Sequence, residues 1–206
     1  MAVTPITIVK EDGTGKATAN SYASVAEADW YHTGHLYASA WTGATDDQKS
    51  AALLMATRLI DGEYQFNGTR TLAAQALQWP RSDCREPDGS TAEFVVPGGS
   101  VSPHVTVIPS GDGGVTLLEN TWTVPGDVVP KAVVEATCEL ARELLLTDRT
   151  ASPAGEGLKY HNETGNQTGY DKTDRRPIIS PVAQALLGKY GTLLKSKSGV
   201  VRLVRA

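Results

Sequence analysis

The chain has 206 residues, 40% of them hydrophobic and 20% charged, with a formal net charge of −4. That length can bury a core without disulfides or metals, and its two cysteines, Cys84 and Cys138, are too few for a disulfide scaffold and lack the spacing of a zinc site. No apolar run approaches the ~18 residues of a spanning helix, and Met1 to Lys10 lacks the basic and apolar regions of a secretory leader, so neither a membrane partner nor export is expected.

The small net charge conceals a split. Residues 1–171 carry 11 basic and 22 acidic side chains, whereas residues 172–206 carry 8 basic and 1 acidic. An acidic body of −11 thus precedes a basic end of +7.

In chain order, Thr7-Ile8-Val9 reads as extended and Glu11 to Lys16 as a polar turn. Ser24-Val25-Ala26-Glu27 is a capping-box signal and predicts a helix from Val25 to about His35, stopped near Gly34. Thr45-Asp46-Asp47-Gln48 predicts a second helix to about Asp61, with Gly62 as its stop and Ala52, Met55, Ala56, Leu59 and Ile60 as its buried stripe. Trp79 precedes a proline and is therefore expected to be extended, with its ring in the core. In residues 85–126, short β-favouring runs (Phe94-Val95-Val96, Val105 to Ile108, Val115 to Leu118) alternate with glycine and proline turns, which predicts an inserted hairpin or small sheet. The longest helix is expected to run from Pro130, at its first position, to near Thr147, with Asp127 as a cap and Val133, Val134, Thr137, Leu140, Ala141, Leu144 and Leu145 as its apolar face. Residues 150–177 are polar and without period, and are expected to be mobile or ordered by a partner. A last helix begins at Ser180-Pro181 and ends near Tyr190 and Gly191, and the alternation from Val200 onward suits a strand.

These elements predict a mainly α protein: a small bundle of about four helices with an inserted β-hairpin or small β-sheet and an extended C-terminal tail. The divisions are residues 1–84 (first half of the helical body), 85–126 (β-rich insertion), 127–149 (long helix), 150–178 (loop) and 179–206 (short helix and basic tail).

Catalytic patterns fail on spacing. Gly13-Thr14-Gly15-Lys16 lacks both the earlier glycine and the following Ser or Thr of a phosphate loop, and there is no GxSxG motif. His32 and His35 share a helix face without a third ligand, and are read as surface or helix-end histidines. Glu135, Glu139 and Glu143 are read as a solvated face or a subunit contact. No catalytic residue, metal or cofactor is expected, and the protein is read as not an enzyme. The basic end is the feature that remains. Arg175, Arg176, Lys189, Lys195, Lys197, Arg202 and Arg205, with Leu203 among them, could neutralise phosphates, dock on an acidic protein surface or simply solubilise the tail. Tyr190 is its one aromatic available for base stacking.

Asn20-Ser21-Tyr22, Ser24 to Asp29, Thr45 to Lys49, Ala56 to Asp61, and above all Gly68-Thr69-Arg70 followed by Gln75 to Trp79-Pro80-Arg81, resemble the head-tail connector (adaptor, or head-completion) proteins of tailed phages. Val129 to Ala141 and Ser180 to Leu187 resemble the same family's later helices. The resemblance implies a virion protein, made in the host cytoplasm, that forms a ring, usually of twelve copies, at the neck. It would dock on the portal protein through its C-terminal tail, meet the next neck or tail-completion protein, and pass genomic DNA through its bore. Members have also been labelled single-stranded-DNA-binding proteins, a label the aromatic-poor basic tail does not favour; a single-stranded-DNA-binding accessory protein is the alternative function. For the family motif, Trp79 is expected to fill the core and Arg81 to pair with an acidic neighbour or to lie in an intersubunit contact.

Overall fold

The computed structural model describes residues 6–87, 105–109, 115–119, 123–151, 160–163, 166–169 and 177–194. Among them the protein is mainly helical, and the helices begin where short-range chemistry says they should. In α1 (Val25–Thr33), Ser24 Oγ accepts from the Glu27 amide and the Glu27 carboxylate accepts from the Ser24 amide at 2.9 Å. In α3 (Asp46–Glu63), Thr45 and Gln48 form the same reciprocal box, and in α5 (Pro181–Leu187) the Ser180 hydroxyl accepts from Ala183 with Pro181 in the first turn. A short α2 (Ser39–Thr42) has no capping signal and is held by Trp41, whose ring is buried and whose indole N–H donates to Asp29 at 2.8 Å.

α4 (Lys131–Leu146) is the central element, packing against α3 and α5 with α1 and α2 alongside. Its buried face carries Val133, Ala136, Thr137, Cys138, Leu140 and Ala141, and α3 turns Ala52, Leu53, Ala56, Thr57 and Ile60 inward. Met55, expected in the stripe, is exposed, and Leu53 takes the buried place. Pro130 is the N-cap of α4 rather than its first residue, and the exposed Asp127 caps nothing.

Two expected glycine stops move. α3 runs through Gly62 to Glu63, because Tyr64 and Phe66, buried with their rings stacked at 5.8 Å, draw the chain directly into β1 (Tyr64–Phe66). α5 ends at Gly188, and Gly191 instead begins β8 (Gly191–Leu193), which pairs antiparallel with β1 so that Gly191 faces Phe66. β8 thus lies before Lys195, and the strand expected from Val200 onward falls outside the described residues.

β2 (Thr69–Arg70) and β3 (Arg81–Ser82) form a second small pair. The insertion carries the expected hairpin, β4 (Val105–Pro109) antiparallel to β5 (Val115–Glu119), with an Arg85–Thr123 bridge further along the chain on either side; Phe94-Val95-Val96 lies outside the described residues. The segment 150–177, read from its sequence as a loop, carries β6 (Tyr160–Glu163) paired antiparallel with β7 (Asn166–Gly169). Strands this polar carry little of the apolar alternation by which a strand is recognised in a sequence.

The Gly13-Thr14-Gly15-Lys16 turn does bind an anion, its own. The fully buried Glu11 carboxylate accepts from the amides of Gly13 (2.9 Å), Gly15 (2.9 Å) and Lys16 (2.8 Å), so these donors are already spent. Gly13 has φ 101°, and a Cβ there would strike the Asp127 carbonyl oxygen.

Candidate nucleic-acid interface

Of the residues expected at the basic end, Lys189 is described: it is exposed in the turn between α5 and β8. Arg175, Arg176, Lys195, Lys197, Arg202, Leu203 and Arg205 lie outside the described residues. The body holds the start of this end firmly. β8 pairs with β1, the Leu194 amide donates to Glu63 at 2.7 Å, and Asn67 donates to the Tyr190 carbonyl at 2.9 Å. Tyr190 is corrected as a stacking residue: it is 8% exposed and meets the Trp79 ring edge-on at 5.8 Å.

The Gly68 to Arg81 motif is structural. Trp79 is fully buried, in T-shaped contact with Phe66 at 5.7 Å, and Pro80 is buried with its carbonyl accepting from Gln75 at 3.0 Å. Arg81 is corrected. It is 5% exposed and among the described residues meets no carboxylate within ion-pair distance, its guanidinium being filled by acceptors of neighbouring turns: Asn67 O (2.7 Å), Gly68 O (2.7 Å), Phe66 O (3.3 Å), Gln78 O (3.1 Å) and Gln78 Oε1 (3.0 Å). Gly68 is required there, since its φ is 71° and a Cβ would strike the Ser82 carbonyl oxygen. Arg70 is exposed and donates to Gln75 O at 3.3 Å.

The titratable side chains of the interior serve the fold as well. Tyr22 donates to Asp61, and the backbone amide of Gln78 donates to the other Asp61 oxygen at 3.1 Å. Burial pushes the Asp61 carboxyl up to about 6 despite these bonds, and burial together with Asp61 pushes the Tyr22 phenol well above its usual range. Glu139, read as part of a solvated face or a subunit contact, is 2% exposed within the chain itself and pairs with Arg142, while Glu143 pairs with Arg149. His32, read as a surface or helix-end residue, does lie in the last turn of α1 but is buried there, 3.2 Å from the Cys138 carbonyl, and burial lowers its pKa. Helical period places these groups on α1 and α4 but does not say that the two faces meet. Both cysteines are buried and free, and burial pushes the Cys138 thiol up to about 12, far from a nucleophile's range. Among the described residues no group of three or more His, Cys, Asp or Glu could hold a metal.

Two surface features escaped the sequence reading. An open groove of about 620 Å³ is lined by Ile6, Ala51, Leu54, Met55, Arg58 and Leu59. At the end of α1 and in the loop after it, Trp30, Leu36 and Tyr37 are 75%, 84% and 72% exposed, whereas the next most exposed large apolar residue described, Leu146, is 60%. The signal was present in the sequence as three bulky residues that join no periodic stripe.

Residues 6–102 match the family model "Putative DnaT-like ssDNA binding protein". The matched segment spans α1 to α3 and β1 to β3 and includes Trp30, Tyr37 and the Gly68 to Arg81 motif. No curated protein and no solved structure matches the chain. The family match overturns the resemblance to phage head-tail connectors. The connector-like motifs between Asn20 and Arg81 all lie inside the matched segment, and the family there is described by single-stranded DNA. The structure gives the physical reason for the misreading: those residues are helix caps, buried rings and the Arg81 web, which specify a fold and leave function open. The portal, the neck partner and the twelve-copy ring rested on that resemblance and lose their basis with it.

Proposed function

We propose that this protein is a non-catalytic accessory protein that binds single-stranded DNA. The observation that carries the reading is the match of residues 6–102 to a family described as binding it. The charge distribution supports it: an acidic body of −11 repels phosphates, so a strand is directed to the basic end of +7. Pairing of β8 with β1 joins that end to the matched segment. In this reading Arg175, Arg176, Lys189, Lys195, Lys197, Arg202 and Arg205 supply phosphate contacts without sequence preference.

The test is fluorescence anisotropy of a labelled 20-nucleotide oligo(dT) titrated with the full chain at several salt concentrations. If four of these cations meet phosphates, log K falls against log salt with a slope of about −3. Absence of binding at low salt, or tighter binding to a duplex of equal length, would overturn the proposal.

A further inference from the structure

We infer that Trp30 and Tyr37, with the exposed Leu36 next to Tyr37 in the chain, offer a stacking surface for unpaired bases; the inference rests on the single-stranded-DNA reading. The basic end offers no such surface, because its one aromatic, Tyr190, is committed to Trp79. A strand held there by phosphates alone would leave its bases in water. Trp30 and Tyr37 are 75% and 72% exposed within the matched segment, and Tyr37 meets one other ring, His35, in a T-shaped contact at 6.5 Å, so most of both ring surfaces is open to a base.

Their neighbours explain why these rings point outward. On the same stretch His32 and Trp41 are buried, with ring centroids 5.0 Å apart, and Tyr31 meets His32 edge-on at 5.0 Å. The inward positions are filled, and Trp30 and Tyr37 have no part in the core. The backbone beneath Tyr37 is nevertheless fixed. Its amide donates to His35 Nδ1 at 3.1 Å, and its carbonyl accepts from Arg142 Nη1 at 3.4 Å. His35 Nε2 in turn lies 3.4 Å from the buried Glu139 carboxylate. A surface held in this way loses little backbone freedom when a base arrives, which favours binding.

Charge permits a polyanion here although the body is acidic. Three carboxylates of α1 and α4 carry a cation: Asp29 is 2.8 Å from Lys49, Glu139 pairs with Arg142, and Glu143 pairs with Arg149. Stacking needs no net positive potential, and it tolerates any base because every base has a π face.

The experiment compares wild type with Trp30→Ala, Tyr37→Ala and the double variant. The probes are labelled oligo(dT) of 20 nucleotides and an abasic strand of the same length and charge. The variants alter exposed side chains, and far-UV circular dichroism verifies their folding; Trp30→Phe and Tyr37→Phe keep a ring and should retain affinity. Each single alanine variant is expected to bind oligo(dT) about 5- to 100-fold more weakly and the double variant at least about 30-fold more weakly, with unchanged binding of the abasic strand. Unchanged oligo(dT) affinity, or an equal loss on both strands, refutes the stacking surface while leaving the DNA reading in place. If wild type binds no oligo(dT), the DNA reading fails and the stacking surface fails with it.

Discussion

Replacing Arg81 separates a fold-stabilising guanidinium from one kept for a partner. The side chain donates five hydrogen bonds to the turns at Phe66 to Gly68 and at Gln78, two of them at 2.7 Å. A hydrogen bond from a charged donor contributes about 1.5–3 kcal/mol net, but the five share one group and are not additive. Desolvating the guanidinium, which lowers its pKa, offsets part of the gain. Arg81→Ala should therefore cost about 3–5 kcal/mol, a large fraction of the ~5–15 kcal/mol that holds a typical domain folded. Arg81→Lys keeps the charge but replaces a planar fork with a single ammonium that cannot span both turns, and should still cost about 2–3 kcal/mol. Urea unfolding followed by tryptophan fluorescence and circular dichroism reads this directly. At a slope of about 2 kcal/mol per molar, the alanine variant loses about 1.5–2.5 M from its midpoint. An intersubunit role predicts instead that the isolated chain is unaffected. Midpoints for both variants within about 0.3 M of wild type, with the slope unchanged, would refute the structural assignment.

Two further outcomes follow from the interior. Trp79→Ala empties a fully buried site against Phe66 and Tyr190 and should cost on the order of 3–5 kcal/mol, measured in the same unfolding experiment; a loss below about 1 kcal/mol would contradict the observed packing. Asp61 gives a pH dependence of definite sign. Its carboxyl is raised from 3.8 to about 6 in the folded protein, so folding binds the proton more tightly, and stability falls as pH rises between those values. The fall attributable to Asp61 is at most about 3 kcal/mol, and Asp61→Asn should flatten it; a pH profile identical to wild type between 4 and 6.5 would dismiss the buried carboxyl as its source.

The parts of the fold that were legible in the sequence are those governed by residues three or four apart. Ser24 with Glu27, Thr45 with Gln48, and Ser180 with Pro181 mark helix starts because a cap is satisfied within one turn. Trp79 was legible as core because a proline fixes the backbone before it and a large ring seeks burial. The candidate site was legible only as charge. The +7 of residues 172–206 is additive along the chain and needs no fold, whereas the exposure of Trp30 and Tyr37 depends on which neighbours claim the interior.

By itself, then, the sequence determined where most helices begin, that residues 85–126 would hold a hairpin or small sheet, and that an acidic body ends in a basic segment. Tertiary structure alone decided that Gly62 continues a helix, that Gly191 belongs to a strand, that Glu139 is interior and that Arg81 binds carbonyls. The last three of those outcomes depend on groups distant in sequence: Phe66 opposite Gly191, Arg142 on the Tyr37 carbonyl beside Glu139, and the Asn67 and Gly68 carbonyls on Arg81. A local pattern records which groups a residue can satisfy, but only the packed chain brings distant donors and acceptors within 3 Å or so, where burial makes an unmet polar group costly.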